Sequence, residues 1–417
     1  MKQPLHHSLR RHWRKTRWVP LLLAALSTGA ALQSCGRQNS LQPEETAPPF
    51  SFRALDLQQR NRQGLPAWSL KSPKARYDLR SSVARALRPE GVIFAKGKPL
   101  YRLSATTGTV INDGAVMLLE GEIRLQRLGK NPLLLSADRV LWIPRESRMR
   151  FELGPKVRNL QTQLSCQTAT LLLEKDLLEL RGEPTFQRWS QPVAMNARTS
   201  DLAPEFQGTF MEADWRPAQG DLRAKGPVSI TRQPPLRAGH LAPQLLKGSR
   251  LEGNTVQQIY TLFGPAEFLD PAERSWFRGA DLVFNIKESQ LTHRADFQGQ
   301  KGDLQVQGLE LLVDGRTSTA SIGRNCQLQQ DGDQLTAQRC YWNWKTQGIS
   351  AQGQVLYRRL AKNQFTRAER MDGQLGPGGG VTATTPNGRV FSQWRVPRQA
   401  AAPKPERPRP KAQPIEF

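Results

Sequence analysis

The sequence predicts an all-β protein, an open and twisted sheet of short antiparallel strands folded into a U with one side unsealed. From about Phe50 to Arg370, apolar and polar residues alternate in short runs, broken about every eight to twelve residues by Gly, Pro, Asn or Asp. Long helical periodicity is missing from the same region. An internal repeat and a set of Gly-Pro pairs predict that the sheet is folded into a U and that one side stays unsealed.

The repeat consists of two half-units. One is an apolar strand built around an alanine, and Ala105, Ala137 and Ala169 follow one another at intervals of 32 residues. The other ends on a glycine that precedes β-branched, aromatic or proline residues, as around Gly121 and Gly353. Each unit is thus a pair of strands, and neighbouring units must stack to bury their shared apolar face.

Gly-Pro pairs recur at one place in the units, at Gly154-Pro155, Gly226-Pro227 and Gly264-Pro265. Proline cannot donate to a ladder of hydrogen bonds and is confined to edges, strand starts or bulges. The units should therefore bend or open repeatedly at this place. An open sheet folded into a U accommodates such bends better than a closed barrel does.

The N-terminus has the pattern of a lipoprotein signal peptide. Six basic residues and no acid precede the apolar run Val19 to Leu32, and small residues lead to Cys35. The run is shorter than the roughly 20 apolar residues that cross a bilayer. We predict a signal peptide at residues 1–34, lipid attachment at Cys35 and a tether at 35–49. An uncleaved anchor with an incidental cysteine is the alternative.

The rest of the chain divides by composition. We predict a first β-region at residues 50–233, a linker or insertion at 234–248 and continuing β-repeats at 249–372. Residues 373–417 are rich in Gly, Pro and basic residues, which predicts a mostly disordered tail. A short strand around Val390 to Trp394 could still pair with another part of the protein.

Charge indicates an anionic partner. The net charge is +24, and removing the six basic residues of the signal peptide leaves +18 for the exported part. Phospholipid headgroups or an acidic glycolipid fit this charge, and export argues against nucleic acid. The alternative is that positive charge, which is spread along the chain, only keeps the surface soluble.

The residues that carry catalysis or metal binding are sparse. His240 and His293 have no second His or Cys at metal-ligand spacing, and no Gly-rich phosphate loop opens a helix, so we predict no metal site, no cofactor and no enzymatic activity. Cys326 and Cys340 flank a turn, and a hairpin could bring them together as a disulfide. Cys166 is interpreted as a small buried residue.

An unsealed U offers an apolar groove. Strand alternation alone selects the candidate groove-lining residues, and a register error of one residue would exchange the two faces. The candidates are Leu103, Ile123, Leu125, Leu135, Val140, Trp142, Leu171, Leu173, Val228, Phe284 and Trp342. Acyl chains would gain about 0.8 kcal/mol for each methylene buried in such a groove.

These features resemble the LptC and OstA-like family of periplasmic lipopolysaccharide export. The resemblance lies in Ala67-Trp68-Ser69-Leu70, in Tyr101-Arg102-Leu103-Ser104-Ala105 and in the repeats from Leu119 to Asp138, and it is best over residues 50–233. It implies a twisted β-jellyroll that accepts lipopolysaccharide from an inner-membrane ABC transporter and passes it to another jellyroll joined edge to edge. Familiar LptC proteins are shorter and are held by one helix, so this chain would be an extended form.

The leading hypothesis is therefore a non-enzymatic lipid-transfer component in the periplasm, attached to a membrane by its N-terminal lipid. Two alternatives remain. A polar interior with a surface stripe of aromatic residues would indicate a lipid-anchored scaffold or adhesin built of β-repeats. A cluster of carboxylates in a cleft would indicate a β-helical enzyme that acts on polysaccharides.

Overall fold

Strands make up nearly all the regular structure in the computed structural model, which describes residues 50–233, 242–374 and 378–394. The strands are β1 (Phe50–Phe52), β2 (Leu55–Arg60), β3 (Pro66–Ser72), β4 (Lys74–Asp78), β5 (Val83–Leu87), β6 (Glu90–Ala95), β7 (Lys98–Ser104), β8 (Thr107–Ile111), β9 (Val116–Arg127), β10 (Leu133–Ile143), β11 (Arg148–Glu152), β12 (Lys156–Arg158), β13 (Thr162–Ser165), β14 (Thr168–Leu172), β15 (Leu177–Arg181), β16 (Thr185–Arg188), β17 (Phe206–Thr209), β18 (Glu212–Arg216), β19 (Asp221–Arg232), β20 (Gln244–Asn254), β21 (Ile259–Asp270), β22 (Ser275–Asn285), β23 (Gln290–His293), β24 (Phe297–Lys301), β25 (Leu304–Asp314), β26 (Thr319–Gln330), β27 (Asp333–Ala337), β28 (Arg339–Asn343), β29 (Gly348–Arg359), β30 (Gln364–Gly373), β31 (Val381–Thr384) and β32 (Phe391–Trp394).

Short 3₁₀ turns are the remaining regular elements of the described ranges. They span Asn112–Gly114, Pro144–Glu146 and Leu360–Lys362. Nowhere in these ranges is there a helix with the length and apolar character needed to cross a membrane. The predicted all-β fold class is confirmed.

The strands form two continuous rows of antiparallel pairs, here named wall 1 and wall 2. Wall 1 begins with β1, β4, β5 and β8 and continues through β11, β14, β15 and β18. Wall 2 begins with β2, β3, β6 and β7 and continues through β12, β13, β16 and β17. Long strands such as β9, β10 and β19 belong to both walls, one half to each, and so join the walls along one side.

The long strands bend where they pass from one wall to the other. In β19 the pairing register shifts between Lys225 and Val228, around Gly226-Pro227, and in β21 it shifts between Phe263 and Ala266, around Gly264-Pro265. An extra residue in one strand kinks the ladder, and proline removes a donor there. The Gly-Pro pairs thus form the corner of the U, as the sequence predicts.

Apolar side chains fill the space between the walls. In β9 the residues Met117, Leu119, Ile123 and Leu125 are buried and alternate with more exposed neighbours. The side chains of a strand point alternately to its two faces, so one face of each wall is apolar and the other polar. The buried residues of both walls form one core from Trp68 to Met371.

The predicted boundary near residue 234 does not interrupt the pairing of strands. Strand β20 begins at Gln244, within the segment predicted as a linker, and ten residues of β19 pair with it. Strands β31 and β32 lie in the predicted tail and both pair with β30. The predicted signal peptide at 1–34, Cys35 and the tether at 35–49 lie outside the described residues, as do residues 234–241.

Candidate functional site

The interior is most tightly filled in residues 50–185, here named the filled part. Of the hydrophobic residues that are at most 1% exposed, 20 lie in this range and nine lie in residues 186–345. Trp68 and Trp142 meet edge to face across the interior, with ring centroids 5.6 Å apart. Close packing of this kind resembles an ordinary protein core.

A cavity of about 620 Å³ lies between the walls in residues 186–345, here named the hollow part. Wall 2 contributes side chains of β16 to β24 and wall 1 those of β20 to β28. Apolar residues dominate the lining, among them Phe186, Ile230, Leu246, Leu262, Phe277 and Phe284. A cavity of this size and composition lies within the range of small-molecule and lipid sites.

Small and polar residues contribute to the lining of the empty space. Ser275 begins β22 and Ala320 is the second residue of β26, and both line the cavity. The filled part also has small inward residues, but there a large side chain can lie beside them, as Phe151 pairs with Ala169 on the neighbouring strand. The backbone pairing continues through both parts, so the side chains, and not the topology, determine where the cavity lies.

Cations lie at the open side of wall 2. Arg188, Arg232 and Lys301 are the last residues of β16, β19 and β24, where the strands reach the turns opposite the corner. Glu205 lies 4.0 Å from the guanidinium of Arg188 and 3.3 Å from that of Arg232. Lys301 forms an ion pair with Glu273. These groups place charge beside an apolar cavity.

The opposite edge of the cavity belongs to the turn that follows β28. Trp344 and Lys345 line the cavity from wall 1, and the ammonium nitrogen of Lys301 lies 5.8 Å from the centroid of a Trp344 ring. The two walls therefore approach one another within side-chain reach on the open side. No strand pairing within the described ranges closes this side.

A polar group lies inside the filled part near its open side. The guanidinium of Arg127 lies 3.2 Å from the carboxylate of Asp176, which belongs to the turn after β14. Burial raises the pKa of the neighbouring Tyr101 to about 12. The Tyr101 hydroxyl is buried and makes no hydrogen bond within the described ranges. This ion pair links wall 1 and wall 2 within the filled part, and neither residue lines the cavity of the hollow part.

The predicted groove-lining residues are nearly all in the interior, but few reach the cavity. Only Phe284 and Trp342 belong to the lining of the cavity. Eight others are almost completely buried in the common core: Leu103, Ile123, Leu125, Leu135, Val140, Trp142, Leu171 and Val228. Leu173 is partly buried against the same core.

Sequence reasoning missed most of the cavity, including Ile230, Leu246 and Leu262. Alternation identifies inward positions, but it does not tell whether the opposite wall fills the space. Small inward residues do not mark the cavity in the sequence, because Ala137 and Ala169 are also small and buried in the filled part.

Cys326 and Cys340 are joined by a disulfide, with sulfur atoms 1.99 Å apart. They are not opposite each other in the ladder, because Cys326 pairs with Ala337 and Cys340 with Ile322. The bond therefore links the wall 2 half of β26 to β28 in wall 1, across the corner. Cys166 is free and half-buried, and burial raises the pKa of its thiol to about 11.

The fold and the cavity define an open β-jellyroll with an apolar internal site. Residues 19–182 match the sequence model of the family described as "Lipopolysaccharide-assembly, LptC-related", which confirms the predicted resemblance over that stretch. No curated protein matches the chain.

Among solved structures, the chain is similar to LptH from Pseudomonas aeruginosa. That protein is described as the LptA homologous periplasmic component of the conserved lipopolysaccharide transport device. The two sequences are 11% identical, and the similarity covers 34% of this chain and 92% of LptH, with a TM-score of 0.24.

Proposed function

We propose that this protein is a non-enzymatic periplasmic component of lipopolysaccharide export that holds acyl chains between its two walls. The match to the LptC-related family supports the process. The observation that carries the proposal is the apolar cavity of about 620 Å³ in the hollow part. Each methylene transferred from water into such a site contributes about 0.8 kcal/mol to binding.

The open side supports a role in transfer. Acyl chains could enter and leave laterally there, because Lys301 and Trp344 approach one another across it through their side chains and no strand pairing of the described residues closes it. The cations Arg232, Lys301 and Lys345 at the mouth of the cavity would attract the anionic headgroup. An amphiphile would thus lie with its tails inside and its charges at the edge of the walls.

The terminal edges support a bridge to another jellyroll. Within the described ranges β1 pairs only with β4, and β31 and β32 pair only with β30. Phe50 is 53% exposed at the first edge and Trp394 is 61% exposed at the last. Free strand edges accept further strands by main-chain hydrogen bonds. We propose that one edge receives lipid from an inner-membrane ABC transporter and the other passes it on.

Attachment through Cys35 completes the proposal. Cleavage after residue 34 would leave an acylated N-terminus, and several acyl chains are enough for stable anchoring. The leaflet that holds this lipid is not part of the proposal. Metabolic labelling with a palmitate analogue, compared between the wild type and Cys35→Ala, tests the attachment independently of the cavity.

Photocrosslinking tests the cavity. We would place benzoylphenylalanine at Leu246, Leu262 or Phe277 and isolate the full chain from cells that make lipopolysaccharide. We expect an adduct with lipopolysaccharide at each of these positions. Controls at Val140, which lies inside the filled part, and at Gln126, which is exposed on the outer face of wall 2 in the filled part, should give little adduct.

The outcomes separate the proposal from its alternatives. Absence of lipid adducts from all three cavity positions would contradict lipid carriage and favour the scaffold. Equal adducts at Gln126 and at the cavity positions would indicate nonspecific contact with the membrane. Cleavage of a polysaccharide by the purified chain would favour the enzyme.

A further inference from the structure

The outer face of wall 2 changes its chemistry between β24 and β27. Seven glutamines occupy this face and are exposed or half-buried, while their inward neighbours Val306, Leu328 and Leu335 are buried. The seven are Gln298, Gln300, Gln305, Gln307, Gln327, Gln329 and Gln334. No charged residue interrupts the group, in a chain that carries 60 basic and 36 acidic residues.

Strand pairing arranges these residues in two rows, here named the glutamine face. In one row, four strands place Gln300, Gln305, Gln329 and Gln334 side by side. In the other row, the order is Gln298, Gln307, Gln327 and Thr336. Strands lie about 4.8 Å apart, so each row is about 14 Å long.

The amides of the glutamine face are available to a ligand. Gln300 accepts a hydrogen bond from the indole N–H of Trp276 at 3.2 Å and donates one to the carbonyl of Gly302 at 2.8 Å. The other six side chains make no hydrogen bond to the described residues. Each amide offers two donors and an acceptor without charge. The face therefore presents a dense set of neutral donors and acceptors.

An aromatic ring and a groove lie beside the rows. Trp276 pairs with Gln300 on the neighbouring strand and is half-buried. A surface groove of about 650 Å³ includes Gln298, Gln307 and Gln327, and Phe297 and Leu309 add apolar surface to it. Arg278 and Asp296 also line this groove, and the Arg278 guanidinium lies 5.0 Å from the centroid of a Trp276 ring, so one face of that ring is left for a ligand. A large, rigid aromatic ring next to polar groups suits a ligand with both apolar and hydroxyl surfaces.

We propose that the glutamine face binds an uncharged, hydroxyl-rich carbohydrate chain. Sugar hydroxyls need both donors and acceptors, which the amides supply, and the faces of sugar rings carry C–H groups that can lie on Trp276. A charged partner would instead favour the ionic outer face of the filled part, where Arg102, Arg124 and Lys156 are exposed. The site lies on the opposite side of wall 2 from the cavity and does not depend on lipid binding.

Affinity electrophoresis tests the proposal on the full chain in detergent. Native gels would contain dextran, mannan or starch at increasing concentration. We expect at least one of these neutral polysaccharides to retard the wild type. Gln307→Glu, at the centre of the second row, should weaken the apparent affinity about tenfold, because it removes an amide donor and adds a charge that a neutral sugar cannot pair. Trp276→Leu should weaken it to a similar extent.

The matched control is Gln126→Glu, an exposed glutamine on the outer face of the same wall in the filled part. It should leave the retardation unchanged, and both Gln→Glu variants should keep the wild-type unfolding transition and lipid adducts. The proposal is overturned if no neutral polysaccharide retards the wild type or if both variants lose retardation equally. If only dextran sulfate retards the wild type, the ligand is an anion that binds at Arg278, and the proposal is wrong. If the wild type is a dimer that Gln307→Glu dissociates, the face binds a second copy of the chain instead of a carbohydrate.

Discussion

The filled part and the hollow part have the same arrangement of strands but different interiors. Both consist of two walls joined at a bent corner, and one ladder runs through the junction at β18 and β19. Trp68 and Trp142 meet inside the filled part, whereas Phe277 and Phe284 line open space in the hollow part. The comparison teaches that the wall-and-corner backbone is a scaffold and that inward side chains decide whether a site exists.

The family match adds a second contrast. The match covers residues 19–182 and so includes the filled part from residue 50 to residue 182. The first residue that lines the cavity is Phe186. The part with the recognisable sequence is therefore not the part that contains this cavity. We interpret the filled part as a rigid support and the hollow part as the lipid site of the proposal.

Truncating one aromatic residue in each part should give the largest difference. Trp142→Ala removes a side chain that is 1% exposed and should lower the free energy of unfolding by about 3–5 kcal/mol, since it leaves a cavity in a packed core. Phe277→Ala enlarges an existing cavity and should cost about 2 kcal/mol, close to the transfer contribution alone. Urea unfolding followed by circular dichroism measures both. Equal losses would show that the hollow part is as well packed as the filled part.

Ionisation of buried tyrosines should lower the stability of the protein at high pH. Burial raises the pKa of Tyr101 to about 12, whereas an unfolded tyrosine ionises near its ordinary value of 10.0. The neutral phenol is thus favoured in the folded protein, so its contribution is complete below pH 10 and is lost as the pH rises to 12. The total is about 2–3 kcal/mol.

Unfolding of the wild type and of Tyr101→Phe between pH 9 and pH 12 measures this contribution. The variant should lose less stability over that range. Tyr260 lines the cavity, and burial also raises its pKa. Tyr260→Phe should therefore likewise lose less stability than the wild type between pH 9 and pH 12. A Tyr260→Phe variant that loses as much stability as the wild type would indicate that water reaches this phenol.

Much of the fold was predictable from the sequence, because its causes are local. Alternation identifies strands, and Gly226-Pro227 and Gly264-Pro265 mark bends by removing a donor where each strand leaves its wall. The cavity was not predictable in the same way. Whether Leu171 or Leu262 meets a partner or open space depends on a residue of the opposite wall that is distant in sequence. Of the predicted groove residues, only Phe284 and Trp342 line the cavity.

Adding volume should harm one part and not the other. Ala169 is fully buried in β14, so Ala169→Leu should overpack the filled part and cost about 1–3 kcal/mol. Ala320 lines the cavity, so Ala320→Leu should be tolerated within about 0.5 kcal/mol, or should stabilise the protein. It should also reduce uptake of a fluorescent fatty acid. An Ala320→Leu variant that is as unstable as Ala169→Leu would contradict the assignment of open space.

The smallest effect is expected for charge at the mouth of the cavity. Lys301→Gln should weaken binding of an anionic amphiphile by about two- to fivefold, because the ammonium is already paired with Glu273 and partly screened by solvent. The loss should shrink as salt is raised, and a neutral amphiphile of equal chain length should bind both proteins alike. Lys156→Gln, an exposed position on the outer face of the filled part, is the matched control and should leave the affinity unchanged. If the two substitutions weaken binding equally, the attraction comes from the net charge of the whole chain, and the open side of the hollow part has no special role in orienting the headgroup.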